Sequence, residues 1–172
     1  MGFALRAWAA CAVAVLFLAT PRPANAVLPR DIQARILAVH NATRAEVGVR
    51  PLKWDDRLAA DAEQWAHHLA QINVLQHWGS HGEPNNGEGE NLWMGSRGAY
   101  SVEQMTGAWA GEKIAVRRAR KWEDEFASVG HYTQMVWRST TAVGCAIAIN
   151  VQFDFLVCRY APQGNFIGRS PY

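Results

Sequence analysis

The sequence predicts an α+β domain in which helices come first and an antiparallel hairpin comes late. Three observations carry this expectation. Apolar residues recur at helical spacing through Ile32, Ile36 and Leu37 and again through Leu58, Ala62, Trp65 and Leu69. Ser101 followed by Gln104 is a capping-box signal for a further helix. Finally, AVGCAIAI and FLVCRYA flank the polar-leaning segment INVQFD, so that folding back near Val151 and Gln152 pairs two apolar strands. Helices grouped ahead of such a hairpin pack on a small sheet.

In chain order, Asp31 after Pro29 is the expected N-cap of a first helix ending near Val47-Gly48. His40 falls on its apolar face, where a hydrogen-bonded core histidine is the expected reading. The sequon Asn41-Ala42-Thr43 lies inside the same helix and carries no weight. Asp55 or Asp56 caps the second helix, whose stripe of Leu58, Ala59, Ala62, Trp65, Ala66 and Leu69 is core. His67 and His68 are adjacent on that helix and cannot share a face, so no joint ligand role is expected. Residues 76–89, QHWGSHGEPNNGEG, have no period and form a long loop into Glu90-Asn91-Leu92-Trp93. The Ser101 helix is expected to run to about Ala115. Residues 116–129 are charged and ambiguous, with Trp122 and Phe126 as apolar anchors and with a basic run, 117–121, answered by Glu123, Asp124 and Glu125. GHYTQMVW, 130–137, precedes the hairpin, and Pro162, Gly164 and Pro171 mark an irregular tail.

Residues 1–26 read as an export signal: Arg6, the apolar run Ala7 to Ala19, then the small-residue site Ala24-Asn25-Ala26. A single domain, 27–172, secreted or periplasmic, is the expectation. The mature part holds no apolar run of the ~20 residues a bilayer span needs, so no transmembrane segment is expected in it. The chain has 17 Lys and Arg against 15 Asp and Glu, and losing Arg6 and Arg22 with the leader levels them, which argues against nucleic acid as a partner. Cys11 leaves with the leader. In an oxidising compartment Cys145 and Cys158, opposite each other on the hairpin, are expected to pair rather than remain buried thiols, closing a loop worth about 3 kcal/mol.

The candidate chemistry lies in two histidines and two glutamates. His77 and His81 sit in the long loop, Glu90 ends it, Glu112 follows Trp109 by three residues, and His131 opens GHYTQMVW. Neutral imidazoles with carboxylates to orient them suit Zn²⁺ or a related divalent cation. No HExxH, no GxSxG elbow and no glycine-rich phosphate loop is present. Glu90 and Glu112 also make a conceivable glycosidase pair, although nothing in the sequence fixes their separation.

GHYTQMVWRST (130–140) and FLVCRYAPQGNF (155–166) resemble the two signature segments of the CAP superfamily, which comprises the cysteine-rich secretory, antigen 5 and plant pathogenesis-related 1 proteins. His40-Asn41 with Arg44, Pro51-Leu52-Lys53-Trp54-Asp55, Gly89-Glu90-Asn91-Leu92 and Trp109 with Glu112 match in the same order, covering nearly all of 27–172. The resemblance implies an α-β-α sandwich with an open cleft. It implies cleft residues Glu90, Glu112 and His131, with His77 favoured over the competing His81 as the second histidine. Tyr132, Val136 and Trp137 then pack inward, and Gln134 either bonds across the cleft or satisfies nearby backbone. Cys145 and Cys158 resemble the family's pair between the last strands. The implied function is a secreted binding protein, not an enzyme, taking a divalent cation and a lipid or sterol in defence or host interaction. The alternative is a metal-dependent, peptidase-like hydrolase in which Glu90 or Glu112 activates water; otherwise no catalytic residue is assigned. A monomer is expected.

Overall fold

In the computed structural model of the chain, residues 28–79, 86–119 and 121–172 are described. The expected leader and His81 lie outside them.

The first helix, α1 (Arg30–Ala45), starts from Pro29 and not from an Asp31 cap. Proline's fixed φ suits a helix start, which leaves Asp31 in the first turn, where its charge meets the positive end of the helix dipole. After β1 (Lys53–Trp54), Asp55 caps α2 (Asp56–Ile72), its side chain accepting from Arg57 N and Leu58 N. β2 (Gly89–Ser96) leads to α3 (Val102–Gly111), which opens on the Ser101/Gln104 capping box. The expected run to Ala115 is broken at Glu112, and α4 (Lys113–Arg118) is a separate turn and a half. A short 3₁₀ segment, Trp122–Glu125, then enters α5 (Phe126–Met135), so most of GHYTQMVW is helical. β3 (Ala142–Ile149) and β4 (Phe153–Ala161) close the fold.

The sheet order is β1-β3-β4-β2. β4 runs antiparallel to both β2 and β3, but β1 pairs with β3 in parallel, so the sheet is mixed where an antiparallel one was expected. The parallel pair spans only two residues on each strand, too few to leave a period in the sequence. The hairpin turns at 150–152, with Asn150 Oδ1 accepting from Gln152 N and Phe153 N. Its register sets Cys145 opposite Cys158, and a disulfide joins them.

Strand alternation sorts the core into two layers. Ala146, Ala148, Phe155 and Val157 meet α2 through Ala62, Trp65, Ala66 and Leu69. Val143, Cys145, Leu156, Cys158 and Tyr160 face the other way, toward Ile36, Met105, Trp109 and Met135. The result is the α-β-α sandwich. On the α2 side β3 shows only Ala142, Gly144, Ala146 and Ala148, and a Cβ at Gly144 would run into the backbone of Asp55, Leu58 and Ala59. This absence of side chain is what lets helix and strand meet backbone to backbone.

Arg44 joins α1 to the far side of the domain. Its guanidinium donates to Arg50 O, Met135 O, Trp137 O and Thr140 O at 2.6–3.0 Å, and burial draws its pKa down to about 10. These bonds fix the end of α5, and with it the helix that carries His131.

Candidate functional site

β2 is an edge strand, and the site straddles its first residues. Glu90 stands opposite Arg159 of β4, and the cross-strand pair brings Arg159 Nη2 within 3.0 Å of Glu90 Oε2. The contact is an ion pair, and Oε2 has no hydrogen bond among the described residues. The other oxygen, Oε1, accepts from His77 Nδ1 at 2.7 Å and from Trp78 N at 3.0 Å. Arg159 is almost wholly buried, lies 3.9 Å from Glu88 Oε2, and sits over the Trp78 ring at 5.2 Å.

The second half comes from the opposite face of the sheet. Glu112, at the break between α3 and α4, accepts from His131 Nδ1 at 2.6 Å and from Tyr132 N at 3.0 Å. The His131 ring also stacks on Trp109, with centroids 5.9 Å apart and planes 20° apart. Trp109 is held in turn by Nε1 donating to Leu92 O. Trp109 and Glu112 are three residues apart and so share the face that meets α5. A buried chain continues inward: Asn91 Nδ2 donates to both His131 O and Tyr160 OH, and the Tyr160 hydroxyl lies 2.8 Å from His40 Nε2. Burial raises the Tyr160 hydroxyl well above its usual pKa and lowers His40 to about 4.

The two halves have the same chemistry. In each, a glutamate takes an imidazole Nδ1–H together with the backbone N–H of the next residue. A carboxylate only accepts, so Nδ1 must be the donor and the neutral ring presents a lone pair at Nε2. Neither Nε2 has a hydrogen-bond partner among the described residues. The His77 and His131 side chains are 58% and 31% exposed, against 7% and 20% for Glu90 and Glu112, so the rings face outward from their carboxylates.

His77, Glu90, Asn91 and His131 line one cavity of about 120 Å³. It adjoins a second of about 340 Å³ that Glu88, Gln134 and Arg159 help to line. Glu112 faces His131 from outside the first. Among the described residues, no three His, Cys, Asp or Glu side chains converge as a metal-binding group. Gln134 is buried, its Oε1 accepting from Gly164 N and its Nε2 donating to Thr140 Oγ1, so it satisfies its surroundings and does not reach across the cleft. Tyr132, Val136 and Trp137 are packed inward. Sequence reasoning passed over Arg159, Asn91 and Asn165. A charged residue amid the apolar alternation of FLVCRYA was the available signal for Arg159. Asn165 fastens the tail to α5 by accepting from Thr133 Oγ1 and donating to Gly130 O.

Comparison with known proteins gives three kinds of likeness. The sequence profile of the family described as "CAP: Cysteine-rich secretory protein family" matches residues 37–160. Pathogenesis-related protein 1C of Nicotiana tabacum is 40% identical over 144 residues, 83% of this chain and 82% of its own. Pathogenesis-related protein PR-1 of Medicago truncatula is 36% identical over 145 residues, 83% of this chain and 80% of its own. Among solved structures, NaASP2 with Zn²⁺ superposes with a TM-score of 0.68 at 27% identity, covering 84% of this chain and 86% of that one. Na-ASP-1 gives a TM-score of 0.67 at 26% identity over 87% of this chain, which spans only 43% of that protein.

Proposed function

Because the chain belongs to the CAP (cysteine-rich secretory protein) family, we propose that it is a secreted binding protein whose cleft takes a divalent cation between His77 and His131. The observation that carries this reading is the paired imidazole geometry: both rings line one cavity with Nδ1 committed to a carboxylate and Nε2 left as a ligand atom. Carboxylate–imidazole–cation triads of this kind fix the tautomer and raise the basicity of the ligating nitrogen. The donor set fits a cation such as Zn²⁺. With two protein nitrogens and the remaining positions left to water, it fits a weak and exchangeable ion. Supporting the choice of cation, the related NaASP2 has been solved with Zn²⁺.

The names of the plant relatives support a role in defence, and the disulfide suits an oxidising compartment outside the cell. For a lipid or sterol, the suitable place is a groove of about 670 Å³ along α1, lined by Leu28, Pro29, Leu37 and Trp54.

Calorimetric titration of the purified protein with Zn²⁺ tests the cation site. Saturable binding is expected in the wild type, with at least a tenfold loss in both His77→Ala and His131→Ala. Unchanged affinity in either variant refutes the shared site, and zinc-dependent peptide hydrolysis by the wild type would replace the binding reading with the hydrolase one.

A further inference from the structure

At the other end of the sheet, β1 is the outermost strand, and a groove of about 1100 Å³ runs beside it. Arg50, Lys53, Trp54, Arg138 and Ser139 contribute to its lining. Arg50, Lys53 and Arg138 are exposed, and among the described residues none of them is ion-paired. The single acid of the lining, Asp55, is already engaged, since its Oδ1 accepts from Arg57 N and Leu58 N at the start of α2. The groove therefore has an uncompensated positive charge in a chain with nearly balanced charge. Trp54 adds a second and independent feature. Its ring is half-buried, and its Nε1–H is buried without a hydrogen-bond partner among the described residues. Because that nitrogen is enclosed, the part of the indole that meets the groove is its ring.

We propose that this groove binds an acidic polysaccharide, a chain of sugar rings bearing carboxylate or sulfate groups. The three cations pair with the anionic groups, the Ser139 hydroxyl bonds to ring hydroxyls, and the half-buried indole provides a flat apolar surface. The size of the groove suits a chain of several rings and not a lone anion. An acidic peptide is a poorer fit. Lys53 N and Asp55 N already donate to Thr141 O and Val143 O, so strand alternation leaves the backbone of Trp54 alone to pair with an added strand. The site is separate from the cation cleft and does not depend on it.

Immobilised heparin and polygalacturonate, at about 50 mM salt where charge contacts are little screened, test the proposal on the full protein, with poly-glutamate and a neutral dextran alongside. One or both acidic glycans should retain the wild type, heparin alone identifying sulfate and polygalacturonate alone identifying carboxylate. The triple substitution Arg50→Gln, Lys53→Gln and Arg138→Gln should weaken retention at least tenfold, and Trp54→Phe should weaken it severalfold. Neither should change the zinc titration. All three cations are exposed, and Arg44 reaches only the carbonyl of Arg50, so the triple variant is expected to melt with the wild type. Equal retention of the triple variant overturns the site. Equal retention of the wild type on poly-glutamate overturns the polysaccharide assignment, as does retention on dextran.

Discussion

His40 makes the stability of this fold depend on acid in a way that can be worked out from its surroundings. The ring is fully buried, with Nδ1 donating to Ile36 O at 2.9 Å and Nε2 accepting from the Tyr160 hydroxyl at 2.8 Å. A proton added at Nε2 must displace the hydroxyl hydrogen from the second bond, charge a ring removed from water, and do so near the Arg44 guanidinium. Desolvation is the largest of these effects, and the pKa falls from 6.5 to about 4. A histidine whose folded pKa is lowered contributes stability that is fully present above its unfolded value. That contribution is lost as pH falls from about 6.5 toward 4, because the unfolded chain binds the proton first. At about 1.4 kcal/mol per pH unit the interval is worth about 3 kcal/mol, a sizeable fraction of the stability of a domain this size. The assay is urea denaturation at pH 7, 6, 5 and 4 for the wild type and His40→Gln. Carboxylates contribute to both curves, so the difference isolates His40: the wild type should lose about 3 kcal/mol more than the variant between pH 7 and 4. NMR titration of the wild type, which needs no variant to fold, should show the His40 ring still neutral at pH 5. Parallel stability curves, or a ring that charges near pH 6.5, would refute the reasoning.

Gly144→Ala should cost at least 1–3 kcal/mol in chemical denaturation, since the added methyl meets the backbone of Asp55, Leu58 and Ala59 and α2 must move off the sheet; a neutral result would mean that helix and strand are not in backbone contact. Replacing Cys145 and Cys158 by serine should cost about 3 kcal/mol by the chain-entropy relation for a loop of this length, read as a lower urea midpoint, and stability equal to the wild type would remove the disulfide from the account. Glu112→Gln removes the charge that orients His131 and should lower zinc affinity about 10–100-fold, measured by calorimetry, while uptake of a fluorescent fatty acid stays at the wild-type level; a parallel loss of both would mean that the substitution has disturbed the fold.

What could be read from the sequence divides along the range of the forces involved. The α2 stripe, the Ser101/Gln104 box, the Asp55 cap and the cysteine register are local patterns, each complete within a single helix or a hairpin. α5 was missed because it carries none of those marks. Its first residue follows Glu125, which makes no side-chain cap, and its buried Thr133 and Gln134 depend on distant partners that only the fold provides, Asn165 for the one and Gly164 for the other. The end of α3 was misplaced for a similar reason. Nothing in the residues after Gly111 forbids a helix, and the interruption falls on Glu112, whose carboxylate is tied to α5.

The site shows the same division. The residue types pointed to two imidazoles and two carboxylates, but which carboxylate holds which ring depends on the edge of a sheet. Glu90 is fixed from β4 by Arg159 and reaches back along the loop to His77, whereas Glu112 lies across the sheet with His131. Each half is therefore a complete unit, held by its own backbone N–H and its own neighbours, and neither carboxylate bonds to the other half's ring. Loss of one ring should leave the other oriented as before. A cation that binds both would lose one nitrogen ligand and keep the other in place, so its affinity should fall in each single variant by a comparable factor, with no further penalty from collapse of the cleft. Strongly unequal losses would mean that one half binds alone and that the second serves only to hold the edge strand against its neighbours.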